Sequence, residues 1–150
     1  MLQGTFPSPI GPLVVSEDGT AVTAITWGTG GTDESPLLIE ARRQLDAYFR
    51  NELKAFDLPL RPTGDAFQQS VNDAMRAIPY GETMEYGEIA RKLGSMPQPV
   101  GNACGRNSIP IVIPCHRVVG ATGLGGFSAP GGVETKVALL KHEGAYGLLI

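Results

Sequence analysis

The sequence predicts an α+β protein, a small N-terminal antiparallel sheet with a helix followed by a mainly helical C-terminal domain containing a helix-turn-helix. Three observations carry that reading. β-Branched runs broken by turn formers occupy the start of the chain, and apolar residues then recur at helical spacing. Further on, a helix, a turn and a second helix fit into about twenty residues.

The stretch TFPSPIGPLVVSEDGTAVTAITWG, beginning at Thr5, alternates β-branched residues with turn formers, and EDGT within it is a hairpin-type turn. Two or three antiparallel strands follow from it. GTGGTDESP breaks the alternation, and PLLIEARRQLDAYFRNEL sets Leu38, Ala41, Leu45, Tyr48 and Phe49 at the spacing of a helix that packs on the sheet. FDLPLRPTGDA (56–66), punctuated by proline and glycine, reads as a linker and puts a boundary near residue 62 between domains 1–62 and 63–150. DAFQQSVNDAMRAI opens on a capping residue, Asp65, repeats Phe67, Val71, Ala74, Met75 and Ile78, and ends at Pro79. TMEYGEIARKLGS gives a short helix with Tyr86, Ile89, Ala90 and Leu93 on one side, closed by Gly94. The turn SMPQP leads into VGNACGRN, a second short segment of small residues. That is helix-turn-helix spacing, although a tight helix pair inside a core explains the segment equally well. PIVIP reads as one buried extended segment, GATGLGGFSAPGG as a loop, and ETKVALLKHEGA as the last helix. The loop's glycines fit no phosphate-binding fingerprint.

At 150 residues, 42% hydrophobic and 18% charged, the chain can bury a core as one unit or two small ones. Two cysteines are too few for a disulfide framework, no stretch combines a basic start with an apolar run and a small-residue cleavage site, and no apolar run approaches bilayer length. The expectation is a soluble, cytoplasmic protein without a membrane partner, in reducing surroundings where Cys115 persists as a thiol. The net charge of -3 argues against electrostatic coating of nucleic acid, but its distribution is uneven. No Asp or Glu occurs from Ile89 to Val133, where Arg91, Lys92, Arg106 and Arg117 give a local +4, whereas nine acidic residues crowd into 1–65. One half could face phosphate. A buried core leaves the same charge-poor window, so this cue alone does not decide.

IPCHRVV (113–119) sets a strong nucleophile beside one of two histidines, between apolar runs. A thiol at its ordinary pKa is mostly protonated and gains nucleophilicity when a base or a positive charge favours the thiolate. His116 can supply the base, and an acid on its other ring nitrogen would hold the useful tautomer. On the last helix His142 and Glu143 both qualify as the third member, and spacing does not choose between them. A Cys-His dipeptide after a hydrophobic run is more commonly packing than chemistry. Cys104 reads as packing, and two cysteines eleven apart with one nearby histidine make no metal site.

The longer run from Asn107 to Val118, NSIPIVIPCHRV, resembles the signature of the O6-alkylguanine-DNA alkyltransferases, DNA repair proteins also called methylated-DNA--protein-cysteine methyltransferases. SPIGPL, AYF, FQQSV, IPYGET, YGEIARKLG, VGNACGRN, GGFSAPGG and LLKHEGA follow the family's order at nearly its spacing, so the resemblance spans essentially the whole chain. It implies a ribonuclease H-like domain in 1–62 and a DNA-binding, alkyl-accepting domain in 63–150. It implies an irreversible, stoichiometric transfer from O6-alkylguanine, less readily O4-alkylthymine, to Cys115 after base flipping, by a suicide enzyme. Carried over by position, Cys115 is similar to the acceptor, His116 to the base acting through a water, and Glu143 to the acid orienting that histidine. Asn107 is similar to the hinge asparagine, and Tyr86 to the tyrosine that hydrogen-bonds the flipped guanine. Ser128 matches the residue whose amide approaches O6, with Phe127 walling the pocket, and the carbonyls of Val118 and Cys115 match acceptors for the exocyclic amine. Gln98, Gly101, Arg106 and Arg91 fall on the side the resemblance turns to the minor groove. The implied partner is double-stranded DNA carrying O6-alkylguanine, bound by a monomer that could assemble cooperatively, with no cofactor. Some relatives hold zinc in the N-terminal domain, but residues 1–65 contain no Cys or His, so none is expected. A lesion-binding protein of the same fold without transfer activity is the alternative, one that the presence of Cys115 disfavours.

Three positions depart from the family's pattern. Gln98 stands where the family has the arginine that wedges into the duplex, in a shortened turn, which implies weaker DNA binding with the chemistry retained. Asn72 replaces a tryptophan, and Phe127 stands where many relatives have tyrosine.

Overall fold

A computed structural model describes residues 1–147 and divides the chain into two units, Met1–Pro62 and the residues from Thr63 onward. In the first, the early alternation folds as a three-stranded antiparallel meander, β1 (Leu2–Phe6), β2 (Leu13–Glu17) and β3 (Val22–Trp27), in that order. Leu13, Val15 and Ile25 are buried. Pro59 and Arg61 bond to Val22 along the edge of β3, so the proline-rich stretch covers an edge rather than hanging free.

Helix α1 (Pro36–Phe49) begins where Ser35 accepts the Leu38 amide at 3.0 Å, with Pro36 pre-set for the first turn. Ser35 in turn donates to the buried Glu17 at 2.9 Å. The helix buries Leu38, Ala41, Leu45 and Tyr48 as their spacing predicts, while Phe49 is only half-buried. Gln44, which that spacing did not single out, is also buried and exchanges two bonds with the Asp57 backbone, at 2.9 and 2.8 Å.

The second unit holds α2 (Ala66–Arg76), capped by Asp65 through the Gln68 amide, and buries Val71, Met75 and, just beyond the helix, Ile78. A two-residue strand, β4 (Met84–Glu85), runs directly into α3 (Tyr86–Leu93), which starts at a Glu85/Glu88 capping box and stops at Gly94, φ 65°. Helix α4 (Pro97–Gly105) then begins earlier than expected. The stretch read as the turn SMPQP is mostly helix, because Pro97 sits in the first turn, where its missing N–H costs nothing. The helix-turn-helix is therefore α3, Gly94–Met96 and α4.

PIVIP is not an extended segment. Pro110 and Ile113 form an isolated bridge around a tight turn with Ile111 at φ 74°, an outlier for a β-branched residue. Two prolines, 110 and 114, lack the N–H a ladder needs, and Asn107 bonds across the turn. A 3₁₀ turn, Cys115–Arg117, leads into β5 (Val118–Val119), which pairs parallel with β4. Helix α5 (Val133–Glu143) closes at Gly144. Among the described residues no helix is long and apolar enough to cross a membrane.

Asn72, in the place of the family's tryptophan, is buried and accepts from Gln68 Nε2 at 3.1 Å, while that same nitrogen donates to the Ala103 carbonyl at 2.8 Å. Asn72 Nδ2 and Gln68 Oε1 have no partner among the described residues. An orphaned buried donor costs about 1–3 kcal/mol, more than one neutral side-chain bond returns. Asn72→Leu should therefore leave unfolding free energy within ~1 kcal/mol of wild type or raise it; a urea titration showing a loss above ~2 kcal/mol would contradict this.

Candidate active site

The short β4–β5 pairing sets Met84 against Val118 and Glu85 against Val119, so the first residue of α3, Tyr86, stands close to the chain leaving Cys115. Asn107, just past α4, donates from Nδ2 to the Ile113 carbonyl at 2.8 Å and accepts the Ile109 amide at 3.0 Å, bracketing the turn that delivers Cys115. Its side chain also works to lower the Cys115 pKa. The 3₁₀ turn then buries three consecutive side chains, Cys115, His116 and Arg117.

Cys115 lines a cavity of about 400 Å³ with Tyr86, Gln98, Gly101, Cys104, Phe127 and Ser128 among its walls. Burial is the main influence on the thiol and pushes its pKa up, outweighing the Asn107 hydrogen bond, the positive charge of Lys136 and the nearby backbone amides. At neutral pH the sulfur is therefore a protonated thiol that needs a base. Tyr86 is likewise pushed up by burial, to about 12, so its hydroxyl remains a donor. Its hydroxyl packs on Gly125, where φ is +76° and a Cβ would lie 2.8 Å from the Tyr86 oxygen.

Behind the sulfur lies a buried charge network. His116 Nε2 and Glu143 Oε2 are 2.7 Å apart, and Arg117 grips both carboxylate oxygens, Nε to Oε1 at 2.9 Å and Nη2 to Oε2 at 3.0 Å. Arg117 also donates to the Ile78 carbonyl at 2.7 Å and lies over the Tyr80 ring. Burial raises the Glu143 pKa, but the His116 and Arg117 hydrogen bonds more than reverse that, leaving it well below the usual carboxylate range. Burial dominates at His116 and lowers its pKa despite Glu143. The imidazole is thus neutral, Nε2–H donates to the carboxylate, and buried Nδ1, which no group among the described residues satisfies, keeps a lone pair for a proton. Of the two acids or bases considered for the third position, Glu143 reaches His116.

The other sequence candidates are distributed around this centre. Ser128 Oγ donates to the Gly105 carbonyl at 3.1 Å and so ties the glycine loop to α4, with Phe127 beside it on the cavity wall. The Val118 carbonyl accepts from Lys136 at 2.6 Å. Gln98 and Gly101 lie on α4 at the cavity; a Cβ at Gly101 would meet the Tyr86 ring at 3.8 Å. Arg91, exposed on α3, and Arg106, exposed at the end of α4, do not line it. Sequence reasoning missed Arg117 as a partner of Glu143, Cys104 as a cavity wall, and Lys136 altogether; the only signal for Arg117 was its place directly after the Cys-His pair. Among the described residues no group of three or more His, Cys, Asp or Glu side chains could hold a metal ion.

A thiol in a cavity, backed by an imidazole–carboxylate pair and fronted by a helix-turn-helix, defines a DNA-associated thiol-transfer protein. The chain belongs to the 6-O-methylguanine DNA methyltransferase family: residues 1–62 match its ribonuclease-like domain and residues 66–145 its DNA binding domain. A methylated-DNA--protein-cysteine methyltransferase of Methanosarcina acetivorans is 42% identical, covering 97% of this chain and 99% of its own. Its counterpart in Mycobacterium leprae is 43% identical over 93% and 90% of the two chains. Among solved structures, Mycobacterium tuberculosis OGT in complex with DNA superposes with a TM-score of 0.88 at 42% identity, covering 96% of this chain and 93% of that one.

Removing either half of the buried ion pair should be severe. Arg117→Met leaves Glu143 with an uncompensated charge and is expected to cost about 3–5 kcal/mol in urea unfolding. The pH dependence has a fixed sign. Glu143 is depressed in the fold, so its contribution is complete above the unfolded value of 4.5 and is lost as pH falls. His116 is depressed below 6.5, so the unfolded chain takes up its proton first and stability declines below that pH. Wild type should lose stability from pH 6.5 downward, and His116→Gln should lose the upper part of that slope.

Proposed function

We propose that this protein repairs DNA by direct reversal, transferring an alkyl group from O6 of guanine to the Cys115 sulfur in a single irreversible turnover. The observation that carries this is the placement of one thiol between a purine-sized cavity and a neutral, carboxylate-oriented imidazole. Such a displacement needs a thiolate, a way to take its proton, and donors toward the leaving base. His116 Nδ1 takes the Cys115 proton through a water, and Glu143 stabilises the imidazolium that results. The sulfur then attacks the alkyl carbon in line; the new S–C bond forms as the C–O bond breaks, and the electron pair stays on guanine. Tyr86 offsets that negative charge with its hydroxyl, and the Ser128 amide approaches O6. The carbonyls of Val118 and Cys115 accept the exocyclic amine and select guanine, with O4-alkylthymine a poorer fit. Because a stacked base is shielded, the nucleotide must be flipped out, past Gln98 and Gly101 on α4. The thioether has no leaving group, so the protein acts once.

Intact-protein mass after incubation with excess duplex oligonucleotide carrying one O6-methylguanine tests this directly. One added methyl per molecule is expected, absent in Cys115→Ser; an unmodified mass despite lesion binding would make the protein a recognition module. Gln98→Arg should speed transfer from duplex DNA, and should leave transfer from a free O6-alkylguanine base unchanged because no flipping is involved. Equal acceleration on both substrates would remove Gln98 from the flipping step.

A further inference from the structure

Lys136, on α5, is completely buried, at 0% exposure. Its ammonium donates to three backbone carbonyls, those of Val118 at 2.6 Å, Leu124 at 2.5 Å and Gly126 at 3.2 Å, and lies 3.5 Å from the Tyr86 hydroxyl oxygen. Its partners are oxygen dipoles rather than a carboxylate, which is an expensive way to bury a cation if filling space were the purpose. Two of these partners, Tyr86 and Gly126, line the cavity, and the other two lie in the segments that lead to it. Val118 carries the carbonyl assigned to guanine's exocyclic amine, Leu124 and Gly126 belong to the loop that presents Phe127 and Ser128, and Tyr86 faces the leaving base. That loop has no helix or strand between residues 120 and 132. Apart from Lys136, its fixings include the bond from the Gly120 amide to the Gly123 carbonyl at 2.7 Å and that from Ser128 to Gly105.

We propose that Lys136 is a positioning residue for alkyl transfer, whose ammonium holds the Val118 carbonyl, the 124–126 wall and the Tyr86 hydroxyl in register and presents positive charge to the Cys115 thiolate as it forms. This rests on the alkyl-transfer reading given above. Lys136 acts through these groups and does not itself touch the reacting atoms. The titratable groups that face it are Tyr86 from α3, Cys104 from α4, and Cys115 and His116 from the 3₁₀ turn. Burial lowers its own pKa to about 8, with the two thiols opposing the shift. Raising pH therefore removes the ammonium just where it begins to favour the thiolate, two effects of opposite sign.

The test is single-turnover methyl transfer from an O6-methylguanine duplex, measured against pH for wild type and Lys136→Met. Wild type should rise and then fall above about pH 8. The variant should be slower at saturating DNA, by ~10²-fold as expected for a displaced reacting group, and should lack the falling limb. Its affinity for undamaged duplex should be unchanged, because Lys136 is fully buried and its hydrogen bonds go to Val118, Leu124, Gly126 and Tyr86 rather than to α4. Parallel pH profiles, or a wild-type rate in the folded variant, would overturn the proposal. Where Lys136→Met fails to fold, hydrogen exchange in wild type decides: protection of residues 120–126, corrected for intrinsic exchange, should drop between about pH 7 and 9. Unchanged protection would overturn it equally. Wild type that transfers no methyl refutes the alkyl-transfer reading instead, and the exchange arm still decides whether Lys136 holds the loop.

Discussion

The Glu143 carboxylate is the point on which the second unit's functional half depends. A carboxylate at the end of a helix, away from water, stays ionised only if donors replace its hydration, and here Arg117 and His116 do so. That requirement fixes the end of α5 against the 3₁₀ turn that carries Cys115. It also reaches further back, because Arg117 donates to Ile78 and the Gly81 amide approaches Glu143 Oε1 at 3.4 Å. Tyr80 adds a bond to the His142 carbonyl at 3.3 Å. The connection from α2 to α3 is thereby fastened to the same carboxylate, and with it the strand that launches Tyr86.

Cys115 divides two environments built from different residue types. On one side the ion network is densely charged and closed, suited to holding a proton acceptor in one tautomer. On the other, glycines and Cys104 leave room for a planar base, with the Tyr86 hydroxyl and backbone groups supplying polarity. Asn107 joins the sides, since one amide both restrains the strained turn at Ile111 and favours the thiolate form of the sulfur. The strain sits two residues before the bridge partner Ile113, where it sets the direction of the chain into the nucleophile.

Much of this was legible from the sequence, for identifiable reasons. Periodicity located α1, α2, α3 and α5 because each pairs an apolar stripe with a capping or stopping residue, Asp65 and Gly94 being the clearest. It failed at PIVIP, where apolar content mimics a strand and the decisive information lies in two prolines and the distant amide of Asn107. It also shortens α4, because proline breaks a helix interior but opens a first turn, and here Pro97 opens one. Within the site, the Cys115–His116 dipeptide alone reads more as packing than as chemistry, and it is the family resemblance that points to the pair and to Glu143. Arg117 and Lys136 did not stand out, since a lysine or arginine in sequence carries no mark of burial. Whether it reaches solvent or a ring of carbonyls is decided by tertiary contacts alone.

The direction of the thiol's shift gives these parts a common logic. An exposed thiolate would react with any electrophile, and a protein whose acceptor is consumed by one reaction cannot recover from a wrong one. Burial keeps Cys115 protonated and His116 neutral, so neither is charged in the resting state. In the proposed mechanism, proton transfer between them would create a thiolate and an imidazolium together, with Glu143 already 2.7 Å from the imidazole and the Lys136 charge favouring the thiolate. The counter-charges are in place before the ions exist, so little reorganisation is required when a base fills the cavity and excludes water. In that mechanism the surroundings that make the thiol unreactive alone are the ones that would stabilise the ion pair once a substrate is bound, so selectivity for the lesion would follow from the cavity rather than from the sulfur.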